Sequence, residues 1–139
     1  MFVLIVGAGR VGSAVAKRAL DRGCEVSVLD EDPLSHERLE DPAEGAWEDR
    51  GGQFTVGTAL EIDALLEAGI ERADVFIAST NGDNTNLVIS QIAQRRFDVP
   101  KVVARVLDPG RAQWYAEQGL DIVSPTQTAI DMVESAALG

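Results

Sequence analysis

The sequence predicts an α/β fold, a doubly wound parallel sheet of about six strands with helices on both faces. Short apolar runs alternate with amphipathic stretches along the whole chain, the pattern of strands joined by crossover helices. The connections are mostly short, which calls for parallel pairing with right-handed crossovers. The run Asp74-Val75-Phe76-Ile77-Ala78-Ser79 is almost continuously apolar, as in a strand covered on both sides.

The first strand, Phe2-Val3-Leu4-Ile5-Val6, passes directly into Gly7-Ala8-Gly9-Arg10-Val11-Gly12 and then into a helix ending near Asp21. Gly-x-Gly-x-x-Gly between a buried strand and a helix is the turn of a dinucleotide-binding βαβ unit. Gly7 permits the tight turn, Gly9 lets the backbone approach a pyrophosphate, and Gly12 lets helix and strand pack closely. Phosphates would sit on the free N–H groups at the start of the helix, near Arg10 or Val11. Gly23-Cys24 turns the chain into a second strand, Glu25–Leu29, which ends at Asp30. That acid lies about 20 residues beyond the motif, where a ribose-binding carboxylate belongs. A carboxylate there accepts from ribose hydroxyls and repels a 2′-phosphate, favouring NAD or an adenosine nucleotide over NADP.

Residues 30–50 hold nine acids against Arg38 and Arg50, which makes this stretch the main source of the chain's net charge of −11. With Pro33, Pro42, Gly45, Gly51 and Gly52 and little periodicity, it reads as an extended, partly flexible crossover with one short helix near Leu34–Leu39. His36 falls in it and reads as a solvated loop residue.

The third strand is Gln53–Val56. A helix follows from about Leu60 to Ala68, with Gly69 as its terminator. The fourth strand, Asp74–Ser79, gives way to the polar loop Ser79–Asn84 and a long helix from about Asn84 to Phe97. Asn81, Asp83, Asn84 and Asn86 read as caps of that helix, a role compatible with a ligand contact by one of them. Pro100 marks the turn into the fifth strand, Lys101–Val106. Pro109 opens a helix to about Gln118, Asp121–Val123 is a sixth strand, and Pro125 opens a last helix to Leu138.

Composition narrows the function. The acidic balance argues against nucleic acid, which needs clustered Lys and Arg. No apolar stretch approaches the roughly 20 residues needed to cross a bilayer, and with no basic n-region before the first strand no signal peptide is expected. A single cysteine, Cys24, excludes an internal disulfide and fits a reducing compartment, and with a single histidine it supports no metal centre. One domain over residues 1–139 is expected.

In a doubly wound sheet, ligands bind outside the carboxyl ends of the strands at the switch in strand order. That rule selects Gly7–Gly12, Asp30 with Glu31, Gly57-Thr58-Ala59, and Ser79-Thr80-Asn81. Arg105, near the end of an apolar strand, needs a counter-charge: a phosphate, Asp108, or an acid across an interface.

Several segments together resemble one family in order and spacing: Gly7–Gly12, Val28-Leu29-Asp30, Leu66–Asp74, Gly82-Asp83-Asn84-Thr85-Asn86 and Val103-Ala104-Arg105-Val106. The family is the TrkA-N domain, also called RCK or KTN. The resemblance covers nearly the whole chain. It implies a Rossmann-like, non-catalytic regulator on the cytoplasmic side of the membrane, which binds NAD(H) or ATP, ADP or AMP and gates a potassium transporter or channel subunit. It also implies homodimers or larger rings. Transferred by motif, Gly7, Gly9, Arg10, Val11 and Gly12 form the phosphate loop and Asp30 is the ribose acid, with Glu31 beside it. Thr58 and Ala59 match the adenine-side loop, and Ser79, Thr80 and Asn81 wall the phosphate or second-nucleoside side. Arg105 matches an arginine that in some relatives approaches phosphate from the dimer interface. Three departures stand out: Thr58 replaces a usual Asp, the acidic crossover is longer than usual, and the chain ends after the helix at 125–138 without a C-terminal lobe. That helix carries Ile130, Met132, Val133, Ala136, Ala137 and Leu138, a face expected either to pack back on the sheet or to cover a partner subunit.

The alternative is the cofactor-binding half of an NAD-dependent oxidoreductase. It lacks a following substrate domain, and no His, Lys or Tyr is placed as a general acid beside a nicotinamide. A domain that keeps the fold but has lost the ligand is the third reading, with Thr58 in its favour.

Overall fold

Strand β1 (Phe2–Val6) is buried at every position because it lies at the centre of the sheet, and its side chains alternate between two cores. Phe2, Leu4 and Val6 enter one; Val3 and Ile5 enter the other. The computed structural model describes residues 1–139. Five more strands are present: β2 (Glu25–Asp30), β3 (Gln53–Val56), β4 (Val75–Ala78), β5 (Lys101–Arg105) and β6 (Asp121–Val123). The helices are α1 (Arg10–Asp21), α2 (Ile62–Glu67), α3 (Asp83–Arg95), α4 (Pro109–Ala116) and α5 (Pro125–Leu138). The strands pair in parallel in the order β3-β2-β1-β4-β5-β6. This is the doubly wound, Rossmann-like sheet that the sequence predicts, with its switch point between β1 and β4.

Local chemistry sets the element boundaries. Asp108 accepts from the Gly110 N–H and Ser124 from the Gln127 N–H, so each caps a helix whose first residue is proline. Gly69 takes φ +97° after α2 and starts a single 3-10 turn, Ile70–Arg72, which leads into β4. A Cβ there would also meet the Phe2 ring at 2.9 Å.

The crossover from β2 to β3 is packed rather than extended. Asp32 caps a 3-10 helix over Pro33–Leu39 by accepting from the Leu34 N–H, close to where the sequence places a short helix. Leu39 and Trp47 are fully buried beneath the sheet, and the Trp47 indole N–H donates to the Gln53 carbonyl at 2.9 Å. A Cβ on Gly52 would lie 2.2 Å from the indole, so glycine is what lets the chain pass that ring. Arg50 pairs with Asp21 at 2.6 Å and ties the crossover to the end of α1. Burying one large aromatic offsets the ordering of a stretch that lacks helical periodicity.

His36 departs from its expected solvated state. It is half-buried on the 3-10 helix, with Glu40 at Nδ1, Glu48 at Nε2 and the Phe54 ring edge-on at 5.3 Å. The last helix departs too. No residue of α5 is buried, so its apolar face does not pack back on the sheet. No helix of the chain is long and apolar enough to cross a membrane.

Candidate functional site

At the carboxyl edge of the sheet the loops after β1 and β4 part, and a cavity of about 400 Å³ opens between them. The glycine loop forms its floor. Gly7 has φ +99°, and a Cβ on it would lie 2.5 Å from the Ser79 carbonyl oxygen. Only glycine lets the loop after β1 pass so close to the end of β4. A Cβ on Gly12 would lie 1.8 Å from the Gly7 carbonyl, which locks the first turn of α1 against the loop. A Cβ on Gly9 would meet nothing within 4 Å. Gly9 is also the N-cap of α1 without any side-chain cap, so the first N–H groups of that helix remain free.

One wall is built by Asp30. Its Oδ2 accepts from the Ala8 N–H at 2.7 Å and its Oδ1 from the Asp32 N–H at 2.8 Å. The carboxylate is therefore fixed in position, with one lone pair on each oxygen still available. Glu31, Thr58 and Ala59 continue this wall. The opposite wall is Ser79, Thr80, Asn81 and Gly82. It is held by Asn86, which accepts from the Thr80 N–H and hydroxyl at 2.9 and 2.7 Å and donates to the carbonyls of Thr80 and Arg105 at 3.0 and 2.9 Å. All four hydrogen-bonding positions of this buried amide are filled, and they join the ends of β4 and β5.

The cavity thus brings together Gly7, Gly9, Asp30, Glu31, Thr58, Ala59, Ser79, Thr80 and Asn81. Arg10, Val11, Gly12 and Arg105 do not line it. Arg10 and Val11 are exposed on the outer side of the helix start, and Gly12 is spent on packing. Arg105 is half-buried, and its side chain has no ion-pair partner within the chain. Asp108, one of its expected counter-charges, caps α4 instead.

Of the four polar residues read as helix caps, Asn81 lines the cavity and the other three bond elsewhere. The N-cap of α3 is Gly82, with no side-chain bond. Asp83 accepts from the N–H groups of Leu107 and Asp108, Asn84 accepts from Arg111, and Asn86 holds the wall. Asp83 and Asn84 are thereby turned toward the β5–α4 loop and the start of α4.

Sequence reasoning passed over Asp32, Ser35 and Arg38, which also line the cavity. Arg38 Nη1 donates to the Ala8 carbonyl at 3.3 Å and the Ser35 hydroxyl at 3.2 Å. The available signal was a lone arginine on a short helix among acids, eight residues beyond Asp30.

Comparison with known proteins bears on the fold and the family. The model of the TrkA-N domain family matches residues 3–125. The Trk system potassium uptake protein TrkA of Streptomyces coelicolor is 38% identical over 133 residues, which cover 96% of this chain and 56% of that protein. Among solved structures, the TrkA-N domain of the Escherichia coli inner membrane protein ybaL superposes with a TM-score of 0.82 at 19% identity, covering 98% of this chain and 96% of that one. The Shewanella denitrificans Kef CTD in its AMP-bound form superposes with a TM-score of 0.77 at 25% identity, covering 99% of this chain and 81% of that one. The chain spans only somewhat more than half the length of the curated relatives it matches. Sequence and strand order converge on one conclusion: the chain belongs to the TrkA-N domain family and has its Rossmann-like fold.

Proposed function

We propose that this chain is a non-catalytic regulatory module of a potassium transporter or channel, and that its cleft takes an adenine nucleotide (AMP, ADP or ATP) or NAD(H). The observation that carries this reading is the pairing of an anchored carboxylate with an open glycine. Asp30 presents free lone pairs to a ribose diol, while the space beside Gly9 and the uncapped N–H groups of α1 accept phosphate. The relative described as AMP-bound supports the ligand class.

Phosphate also calls for positive charge. Arg10 at the start of α1 and Arg105, which has no ion pair within the chain, are this reading's sources of it, both outside the cavity lining. The reading also includes a homodimer or larger ring on the cytoplasmic side of the membrane, attached to a transport subunit. The apolar residues exposed on α5 belong to the surface that assembly would cover. A nucleotide acts by binding one arrangement of the assembly more tightly than another, and the shift equals that difference in affinity.

Calorimetric titration with AMP, ADP, ATP, NADH and NAD tests the reading beside Asp30→Asn and Asp30→Ala. The expected result is saturable binding by the wild type and a loss of tenfold or more in both variants, roughly the worth of one charged hydrogen bond. If no nucleotide binds at millimolar concentration, the sensing role falls.

A further inference from the structure

Arg38 is the one cation lining the cavity, and it lies on the same wall as Asp30, Glu31 and Asp32. It makes no ion pair with any of them. The guanidinium is held instead through one nitrogen, Nη1, which donates to the Ala8 carbonyl and the Ser35 hydroxyl. The N–H of the same Ala8 residue donates to Asp30. One residue of backbone therefore sets the spacing between the ribose-binding carboxylate and the arginine plane. The remaining guanidinium N–H groups have no protein partner, and the residue is exposed at the cavity mouth.

In many nucleotide sites of this fold, an acid reads the ribose 2′-hydroxyl or an arginine accommodates a 2′-phosphate. Here both residue types are present, and charge decides between the uses of the arginine. A 2′-phosphate would face three carboxylates, and Asp30 cannot turn away because both its oxygens are held by backbone N–H groups. A neutral base meets no such repulsion. It leaves the ribose at the carbon next to the hydroxyl that Asp30 accepts from, and so emerges beside Arg38. Ala59 and the exposed Leu60, on the loop after β3, are apolar lining residues of the same cavity.

We propose that Arg38 is a specificity-determining residue that stacks its guanidinium plane on the purine base of the bound nucleotide, with Ala59 and Leu60 against the other side. Planar stacking and cation–π attraction favour a large π-face, so the subsite prefers a purine to a pyrimidine and rejects a 2′-phosphate. The proposal rests on the nucleotide reading above, and its test separates the two.

Wild type, Arg38→Ala and Arg38→Lys are titrated calorimetrically with AMP, UMP, ribose 5-phosphate and the pair NAD and NADP, after their melting curves are compared. The wild type should bind AMP more tightly than UMP, and NAD more tightly than NADP. Both substitutions should weaken AMP about tenfold, UMP less, and ribose 5-phosphate not at all. Lysine keeps the charge but not the plane, so it also decides the question if the alanine variant fails to fold. Full AMP affinity in Arg38→Lys would show a role for charge alone and overturn the proposal. So would an equal loss for AMP and ribose 5-phosphate, which marks a phosphate contact or a merely structural arginine. NADP binding that is tighter than NAD and abolished in Arg38→Ala would reassign the residue to a 2′-phosphate. Absence of binding by AMP, UMP, NAD and NADP alike to the wild type would remove the nucleotide reading itself, and this inference with it.

Discussion

On one face of the sheet, α2, α3 and α4 bury a cluster of 21 residues; on the other, α1 and the irregular crossover bury a cluster of eight. The larger core is assembled from regular helices, and many mid-sized side chains share its contacts. The smaller core depends on a few, and Trp47 is the largest of them. A single indole there takes the place that a second helix would fill. The cleft lies where the two constructions meet. Its Asp30 and Arg38 wall belongs to the thin side, and its Ser79–Gly82 wall is held by the Asn86 amide of α3. The contrast teaches that one sheet edge can stand over a redundant core on one face and over a core hung on one anchor on the other. The second kind should open at lower free energy.

Substitutions can break or sharpen this contrast. Trp47→Ala should destabilise the fold most, by about 3–5 kcal/mol in urea denaturation, because the cavity left under the crossover has few neighbours able to fill it. A cost comparable to that of Ile89→Val on the thick side, about 1 kcal/mol, would mean that the two faces are equally redundant. Asn86→Ala should cost about 1–3 kcal/mol, since it leaves the Thr80 N–H and the Arg105 carbonyl without their partner in a buried setting.

Smaller effects sharpen the picture. His36→Ala should cost less than about 1 kcal/mol, because its carboxylate partners are partly solvated. Gly9→Ala should leave stability within about 0.5 kcal/mol, as a Cβ there meets nothing and the backbone is already extended. It should nonetheless abolish or sharply weaken nucleotide binding in calorimetry. Gly12→Ala, by contrast, should damage the fold, because its methyl would collide with the Gly7 carbonyl. A Gly9→Ala protein that binds as well as the wild type would show that phosphate does not occupy the space beside Gly9.

Much of the architecture is legible from local chemistry. The glycine motif, the Asp108-Pro109 and Ser124-Pro125 helix starts and Gly69 each encode a backbone requirement within a few residues. What escapes is tertiary. Trp47 stands in the sequence among acids and glycines with no periodic neighbour, and its partners, the Gln53 carbonyl and the missing side chain of Gly52, become visible only when the chain folds back. Asn86 reads as a cap because it is polar and near a helix start, yet it points inward to two strand ends. Arg38 is hidden because its place depends on the 3-10 repeat, which puts Ser35 and Arg38 on one face. Arg105 shows the opposite case: its need for a counter-charge is legible, and the chain alone does not meet it.

The central claim, an adenine nucleotide held between the loops after β1, β2 and β4, is tested most directly by amide NMR spectra recorded during titration with AMP. The account predicts saturable shifts at Gly7–Gly9, Asp30–Asp32, Thr58–Leu60 and Ser79–Gly82, with β6 and the far end of α5 unchanged in a monomeric sample. Shifts confined to residues outside the cleft, or no shifts at millimolar AMP, would contradict it.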